Sequence, residues 1–318
     1  MLNQLFQPVI ELFQLSQDSE GESLAYCLNE DWDIFSDHLT LDEQNELLDE
    51  IRFGDLRPKE RYLEDNSSEL WIPNSDLFYG SRSEEWSEFS YHIRYKRRFI
   101  LAPSEEDRFT DPRKWLPSLL KGITKMYSPK ARFFRARRGG NKEKYKVIEP
   151  YAAKDMEAPP PEKAVYGRAN PPGIAYLYAA EDEKTAISEV RPHVGELVTL
   201  AKLHPKRELR IVDLTKVPKV RSAFESNLHE QIERTKILRA LNHELARPVH
   251  PDESAVRYVP CQYLAEIILD AGMDGILYSS SVSDSGNNLV LFFPNSVEFE
   301  EETGFVKISK VDVSYYRR

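Results

Sequence analysis

The second half of the chain contains short apolar strands with few helices between them, and it has no regular strand–helix–strand repeat. Runs rich in β-branched and aromatic residues recur from residue 131 onward, bounded by glycine, proline and serine. A doubly wound parallel sheet needs a helix after nearly every strand, so this pattern favours an α+β fold with a mixed sheet. The predicted strands are Arg132–Arg137, Ala175–Ala179, Leu197–Leu203, Leu209–Leu214, Gly275–Ser279, Leu289–Phe293 and Val306–Tyr315, and the predicted helices are Ser226–Leu245 and Pro260–Ala271.

The first 125 residues are mostly helical in pattern. Thr40 with Glu43, and Ser81 with Glu84, are capping-box pairs that precede predicted helices at 42–53 and 85–99. Asp111 followed by proline starts another predicted helix that reaches Ile123, in which Pro117 is a weak point. We therefore predict a helical domain at residues 1–125 and an α+β domain at residues 126–318.

Composition and charge limit the function classes. Hydrophobic residues make up 41% and charged residues 30% of 318, which are globular values, and the net charge of -10 argues against a nucleic-acid partner. The basic run 132–138 is either a solvated strand edge or an anion site. Cys27 and Cys261 provide neither a disulfide framework nor metal-ligand spacing, so no metal site is expected. Without an apolar run of about 18 residues or a signal segment, we expect a cytoplasmic protein with no membrane partner.

Residues 167–191, GRANPPGIAYLYAAEDEKTAISEVR, carry the densest set of reactive side chains. Arg168 lies in a turn, an aromatic strand follows, and Asp182 is the predicted N-cap of a helix whose last turn contains Glu189. A cation, an aromatic face and a carboxylate brought together in this way suit an anionic substrate and a developing positive charge.

This segment and two flanking blocks resemble the RES domain, a family of bacterial toxins that destroy NAD by cleaving its nicotinamide–ribose bond. The first block is FFRAR at 133–137. The second runs from GRAN to SEV, although the family usually has an aromatic residue in place of Ala169. The third contains YVPCQ at 258–262, DGILYSS at 274–280 and NNLVLF at 287–292. The match covers roughly residues 125–318 and implies a fold like that of ADP-ribosylating toxins.

The resemblance implies a set of site residues and a substrate. Glu189, Arg168 and Ser280 match catalytic positions, and the substrate-binding candidates are Arg135, Tyr178, Tyr176 and Asn170. NAD is then the substrate, with water or inorganic phosphate as acceptor, and no cofactor is implied. The chain contains no Walker A loop, G-x-G-x-x-G or His-Glu-x-x-His motif that favours another chemistry.

Several assignments stay open at this point. Glu181 and Glu183 are rivals of Glu189, although acids at a helix start are expected for dipole and capping reasons. The serine is any of the run 279–281, and serines at a strand end are often turn formers. The two arginines suit surface salt bridges as well as phosphate, and the two tyrosines suit a core position.

Rival functions are ADP-ribosyl transfer to a protein and a non-catalytic NAD-binding sensor. Toxins of this family are neutralised by an antitoxin, so such a partner is possible here, and restraint by the N-terminal domain is an alternative. Some family members carry an N-terminal extension that looks related to the HEPN class, whose active members cut RNA with an Arg-x(4–6)-His motif. Neither His38 nor His92 has an arginine at that spacing, so ribonuclease activity is not supported.

Overall fold

The computed structural model describes residues 2–17, 20–32, 34–36, 38–53, 69–74, 81–99, 109–143, 146–217, 220, 222–225, 227–283 and 285–311. The chain forms two compact units, one of Met1–Glu84 with Pro218–Ile237 and one of Glu85–Val217 with Leu238–Arg318. The predicted α+β class is confirmed, with a helical N-terminal region followed by a large mixed sheet. This division by packing differs from the predicted domains 1–125 and 126–318, whose independent folding stays a prediction.

The first unit contains helices α1 (Leu2–Ile10), α2 (Leu24–Trp32) and α3 (Leu41–Phe53) and the antiparallel strands β1 (Phe13–Leu15) and β2 (Trp71–Pro73). The capping box before α3 is confirmed, since Thr40 Oγ1 accepts from the Glu43 N–H (3.4 Å) and Glu43 Oε2 accepts from the Thr40 N–H (2.8 Å). The apolar residues of this unit, including two from the segment after Pro218, share one core: Phe6, Val9, Phe13, Leu24, Leu28, Leu48, Trp71, Ala223 and Leu228.

Helix α4 (Arg82–Tyr95) begins at the predicted cap, because Ser81 Oγ accepts from the Glu84 N–H at 3.3 Å. The continuous helix predicted from Asp111 to Ile123 is wrong. The Asp111 carboxylate does cap, accepting from the Arg113 N–H at 3.0 Å, but the element that it starts is a single 3-10 turn. Helix α5 (Leu116–Leu120) then begins anew, and Pro117 falls in its first turn, where its missing N–H leaves no helical bond unmade.

A nine-stranded mixed sheet organises the described part of the second unit. The strands of this unit are β3 (Thr124–Tyr127), β4 (Phe133–Arg138), β5 (Asn141–Glu143), β6 (Lys146–Glu149), β7 (Leu177–Ala180), β8 (Leu197–Pro205), β9 (Leu209–Asp213), β10 (Gly275–Ser279), β11 (Asn287–Leu291), β12 (Val297–Phe299) and β13 (Gly304–Lys307). The order along the sheet is β12-β8-β4-β7-β11-β10-β9-β3, with β13 also paired to β8, while β5 and β6 pair separately. Strands β9 and β10 run parallel, and the other neighbouring pairs run antiparallel.

Each predicted strand has a counterpart in this sheet, and β3, β5, β6 and β12 are additional. The predicted strand Val306–Tyr315 begins as β13, and its residues 312–315 lie outside the described part of the chain. Helices α6 (Glu183–Glu189), α8 (Ser254–Arg257) and α9 (Val259–Asp270) belong to this unit, and the residues of α7 (Leu228–Ala246) are divided between the two units after Ile237. The two predicted helices correspond to α7 and α9.

The two faces of the sheet differ in character. One face carries a buried cluster of apolar residues from the central strands, namely Phe133, Leu177, Leu203, Leu209, Ile211, Leu277, Leu289, Leu291 and Val297. Because side chains alternate along a strand, their neighbours Tyr178, Tyr278 and Asn288 point to the opposite face. On that face α6 packs against β4 and α9 packs against β10.

Candidate active site

A cavity opens where strands β4 and β7 separate. The two strands pair through Phe134 and Ala180. Next to that pair, the Arg135 side chain of β4 reaches β7, where its Nη1 donates to the Tyr178 carbonyl at 2.6 Å. The space has a volume of about 330 Å³. Its lining combines one cation, one carboxylate, one amide, two phenol rings and one phenyl ring with small apolar groups, namely Arg135, Glu189, Asn288, Tyr178, Tyr278, Phe134, Ala136, Ala179, Ala180, Ala186 and Val190.

Glu189 is delivered to the cavity by the last turn of α6. The helix starts as predicted, because Asp182 caps it by accepting from the Thr185 N–H at 2.8 Å. The Glu189 carboxylate accepts from Ser280 Oγ at 2.7 Å and from Asn288 Nδ2 at 2.5 Å, and both bonds end on Oε1. A strand-end serine, a strand amide and a helix carboxylate therefore meet at one oxygen.

The same contacts separate the three serines of the run 279–281. Ser280 contacts Glu189, whereas Ser279 accepts from Asn242 Nδ2 at 3.1 Å and its N–H donates to Asn242 Oδ1. Ser281 is exposed. The serine matched by the family resemblance is thus the one beside the carboxylate.

The ring of Tyr178 lines the cavity, and its hydroxyl forms hydrogen bonds with the turn that contains Ala169 and Asn170. The hydroxyl donates to Asn170 Oδ1 at 2.7 Å and accepts from the Ala169 N–H at 3.0 Å. The Asn170 amide in turn donates to the carbonyls of Val165 and Ile174, so this buried residue holds the turn rather than lining the cavity. Burial is the main cause that raises the pKa of Tyr178, and its hydroxyl stays protonated at neutral pH.

Glycine is required at position 167 of the same turn. A Cβ there would lie 2.3 Å from Asn170 Oδ1 and 2.5 Å from the Tyr178 hydroxyl, well inside van der Waals contact. The Gly167 N–H donates to the Asn170 carbonyl, and Gln262 Nε2 of α9 donates to the carbonyls of both. The turn is therefore a rigid support for Tyr178.

Arg135 is a cation with unused donor capacity. Its Nε is buried and has no hydrogen-bond partner within the described residues, where no carboxylate pairs with its guanidinium. Burial, reinforced by the neighbouring charge of Arg137, lowers the pKa of Arg135 to about 10. The group is still charged at neutral pH, so it can bind an anion that enters the cavity.

The structure does not place Arg168 or Tyr176 in the cavity lining. Arg168 Nη1 donates to the Arg247 carbonyl at 2.5 Å, and its guanidinium lies 5.4 Å from the centroid of the Tyr258 ring. Tyr176 is buried and packs against Phe292, with ring centroids 4.9 Å apart, and burial raises its pKa to about 12.

The rival carboxylates lie elsewhere. Glu181 accepts from Lys125 Nζ at 2.9 Å, from Asn287 Nδ2 at 2.8 Å and from the Tyr127 hydroxyl. Burial alone would raise the pKa of Glu181, but these donors outweigh it and hold the pKa below its usual value. Glu183 lies at the helix start with half of its side chain exposed. Of the three glutamates, Glu189 alone lines the cavity.

The sequence reasoning missed two polar residues of the cavity lining, Tyr278 and Asn288, and the second of them binds Glu189. Asn288 is 6% exposed and stands beside the apolar run Leu289–Leu291 of β11. A carboxamide that is buried beside such a run needs a hydrogen-bond partner. An asparagine next to an apolar strand was therefore the sequence signal that could have pointed to this residue. The partner itself is 99 residues away in the sequence, so the pattern did not identify it.

Comparison with known proteins decides the family. A sequence model described as the RES domain matches residues 133–310, more than half of the chain. The chain belongs to the RES domain family. Structural comparison finds a likeness to a chain of the M. tuberculosis MbcT-MbcA toxin-antitoxin complex, with 12% sequence identity, a TM-score of 0.34, and coverage of 60% of this chain and 92% of that one. No curated protein matches the sequence.

No helix among the described residues has the length and apolar character needed to cross a bilayer. Within the same residues, no group of three or more histidine, cysteine, aspartate or glutamate side chains is arranged to hold a metal ion.

Proposed function

We propose that this RES protein cleaves the bond between nicotinamide and ribose in NAD. The observation that carries the proposal is the cavity, where the Glu189 carboxylate and the Arg135 guanidinium line one space together with aromatic rings. Membership of a family of NAD-acting toxins supports the same reaction. NAD serves as substrate, and no cofactor is required.

The chemistry makes three demands that these side chains suit. Nicotinamide leaves as a neutral base from a cationic ring, while positive charge builds on the ribose. The Glu189 carboxylate stabilises that charge, which exists mainly in the transition state and therefore lowers the barrier. The rings of Tyr178 and Tyr278 provide walls for the flat nicotinamide ring.

Arg135 supplies the anchor for the other half of the substrate. Arg135 lines the cavity, its charge suits a pyrophosphate oxygen, and a charged hydrogen bond of this kind contributes about 1.5–3 kcal/mol. Arg168 lies outside the cavity lining, where it binds the Arg247 carbonyl and anchors the turn whose Ala169 N–H donates to the Tyr178 hydroxyl. Water or inorganic phosphate then takes the ribosyl group.

The biological setting belongs to the proposal as well. A protein that consumes NAD is harmful to its own cell, so we propose a cytoplasmic toxin that an antitoxin partner restrains. Membership of the RES domain family supports this setting.

Nicotinamide release from NAD is the direct test. Purified protein is incubated with NAD, with and without inorganic phosphate, and free nicotinamide and the sugar product are separated by chromatography. Glu189→Gln keeps the shape of the side chain and removes its charge, so we expect release to fall by about 10²–10³-fold. Glu183→Gln, on the exposed start of the same helix, is the matched control and should retain activity.

The identity of the sugar product shows whether water or phosphate is the acceptor. ADP-ribose indicates water, and a phosphorylated ADP-ribose formed only with phosphate indicates phosphorolysis. NAD binding without nicotinamide release would contradict cleavage and favour a sensor, while absence of both would remove NAD as the ligand.

A further inference from the structure

Two adjacent asparagines on β11 hold two different glutamates on opposite faces of the sheet. Asn287 donates to Glu181, which also binds Lys125 and Tyr127 on the face of the apolar core. Asn288 donates to Glu189, which faces the cavity. Because neighbouring side chains on a strand point in opposite directions, residues of one type at adjacent positions have separate environments.

The bonds to Glu189 are unequal between its two oxygens. Within the described residues Oε1 accepts from both Ser280 and Asn288, and neither bond goes to Oε2. Ser280 follows the last residue of β10, and Asn288 lies near the start of β11. Because the two donors approach from different strands, together they fix the rotation of the carboxylate plane about the Cγ–Cδ bond of Glu189. Oε2 is the oxygen left for the substrate, and none of the described residues donates a hydrogen bond to it.

Asn288 is itself held firmly. It pairs across the sheet with Tyr278 on one side and with Ala180 on the other, both of which line the cavity. Its side chain is buried, so its orientation is not averaged by solvent. A carboxamide on a central strand is a more rigid donor than a serine on the loop that follows β10.

We propose that Asn288 is a positioning residue for the Glu189 carboxylate, fixing Oε1 so that Oε2 meets the ribose of the substrate. Ser280 then serves as the second donor to Oε1 rather than as a nucleophile. This inference rests on the proposed function, because it assigns a role within NAD cleavage. It adds a residue that acts through Glu189 and touches no reacting atom.

Three variants test the role of Asn288, namely Asn288→Ala, the control Asn287→Ala, and Asn288→Asp. In Asn288→Ala the carboxylate loses one of its two donors, and kcat for nicotinamide release is expected to fall about 10- to 100-fold while KM for NAD changes less than about threefold. Asn287→Ala removes the matched donor on the other face and should leave kcat within about twofold of the wild type. Equal losses in both variants would show a general effect on β11 and overturn the proposal.

Asn288→Asp gives a readout that a structural role would not produce. The variant has nearly the same shape, but it sets a second carboxylate against Glu189, and two such groups share one proton at mildly acidic pH. We expect it to be inactive at pH 8 and to recover activity toward pH 5, where the shared proton restores a hydrogen bond. The other ionisable groups that line the described cavity are Arg135, Tyr178 and Tyr278, and none of them changes charge in this interval.

The outcomes separate this inference from the function on which it rests. Absence of nicotinamide release by the wild type would contradict NAD cleavage itself. Wild-type release with full kcat in Asn288→Ala, or a profile of Asn288→Asp parallel to that of the wild type, would leave cleavage intact and overturn the positioning role. Retained NAD binding by Asn288→Ala, measured by calorimetry, shows that the variant is folded.

Discussion

Replacing Arg135 with methionine is expected to stabilise the free protein and to weaken its hold on NAD. Burial lowers the pKa of this guanidinium well below its usual value, to about 10, which corresponds to about 3 kcal/mol against the charged form. Water reaches the cavity and reduces this cost, and the bond to the Tyr178 carbonyl offsets about 0.5–1.5 kcal/mol of it. Methionine fills a similar volume without a charge, so unfolding should require about 1–2 kcal/mol more.

The expected loss in NAD affinity also comes from the Arg135 guanidinium. If Arg135 makes a charged hydrogen bond to a phosphate oxygen, removing it costs about 1.5–3 kcal/mol, or roughly a 10- to 150-fold rise in Kd. Urea denaturation at pH 7 measures stability, and calorimetry in a Glu189→Gln background measures NAD binding without turnover. The combination of higher stability and lower affinity is the expected mark of a group placed for a ligand rather than for the fold.

Arg137→Met is the control, because this neighbour on β4 already has protein partners. Its Nη1 donates to the Asp155 carbonyl at 2.8 Å and its guanidinium lies 4.5 Å from the Tyr151 ring centroid. It should lose a little stability and leave NAD affinity within about twofold. If Arg135→Met is less stable than the wild type and binds NAD equally well, Arg135 serves the fold and the reasoning fails.

Three smaller predictions concern the framework of the second unit. Burial would raise the pKa of Asp274, but donors from Arg207 and the Arg210 backbone outweigh it and lower the pKa below its usual 3.8. Asp274→Asn should therefore cost about 1.5–3 kcal/mol near neutral pH, a difference that urea titrations should show shrinking as the pH falls below 3.8 and through the lowered pKa. In Gly286→Ala the new Cβ would lie 1.8 Å from Thr185 Oγ1, so we expect Tm to fall by roughly 4–8 °C in calorimetry. Asp182→Ala removes the N-cap of α6 and should cost about 1 kcal/mol by urea denaturation.

Local signals in the sequence predicted most of the elements. The caps at Thr40, Ser81 and Asp182 form as expected, because each needs only a side-chain oxygen and a backbone N–H three residues away. Alternation of apolar and polar residues located the strands of the central sheet. The helix across Pro117 was wrong, since the pattern of apolar residues does not show where a helix stops and restarts.

The site was only partly predictable, and the reason is distance along the chain. The sequence by itself determined which residue types are available: three glutamates near α6, a run of three serines at the end of β10, two asparagines at the start of β11 and three arginines on β4. The tertiary structure alone decided which of them meet. Glu189, Ser280 and Asn288 come together because antiparallel pairing of β10, β11 and β7 sets their register, and alternation sends Glu181 and Asn287 to the other face. Local propensity acts over a few residues, whereas register and strand separation are properties of the assembled sheet.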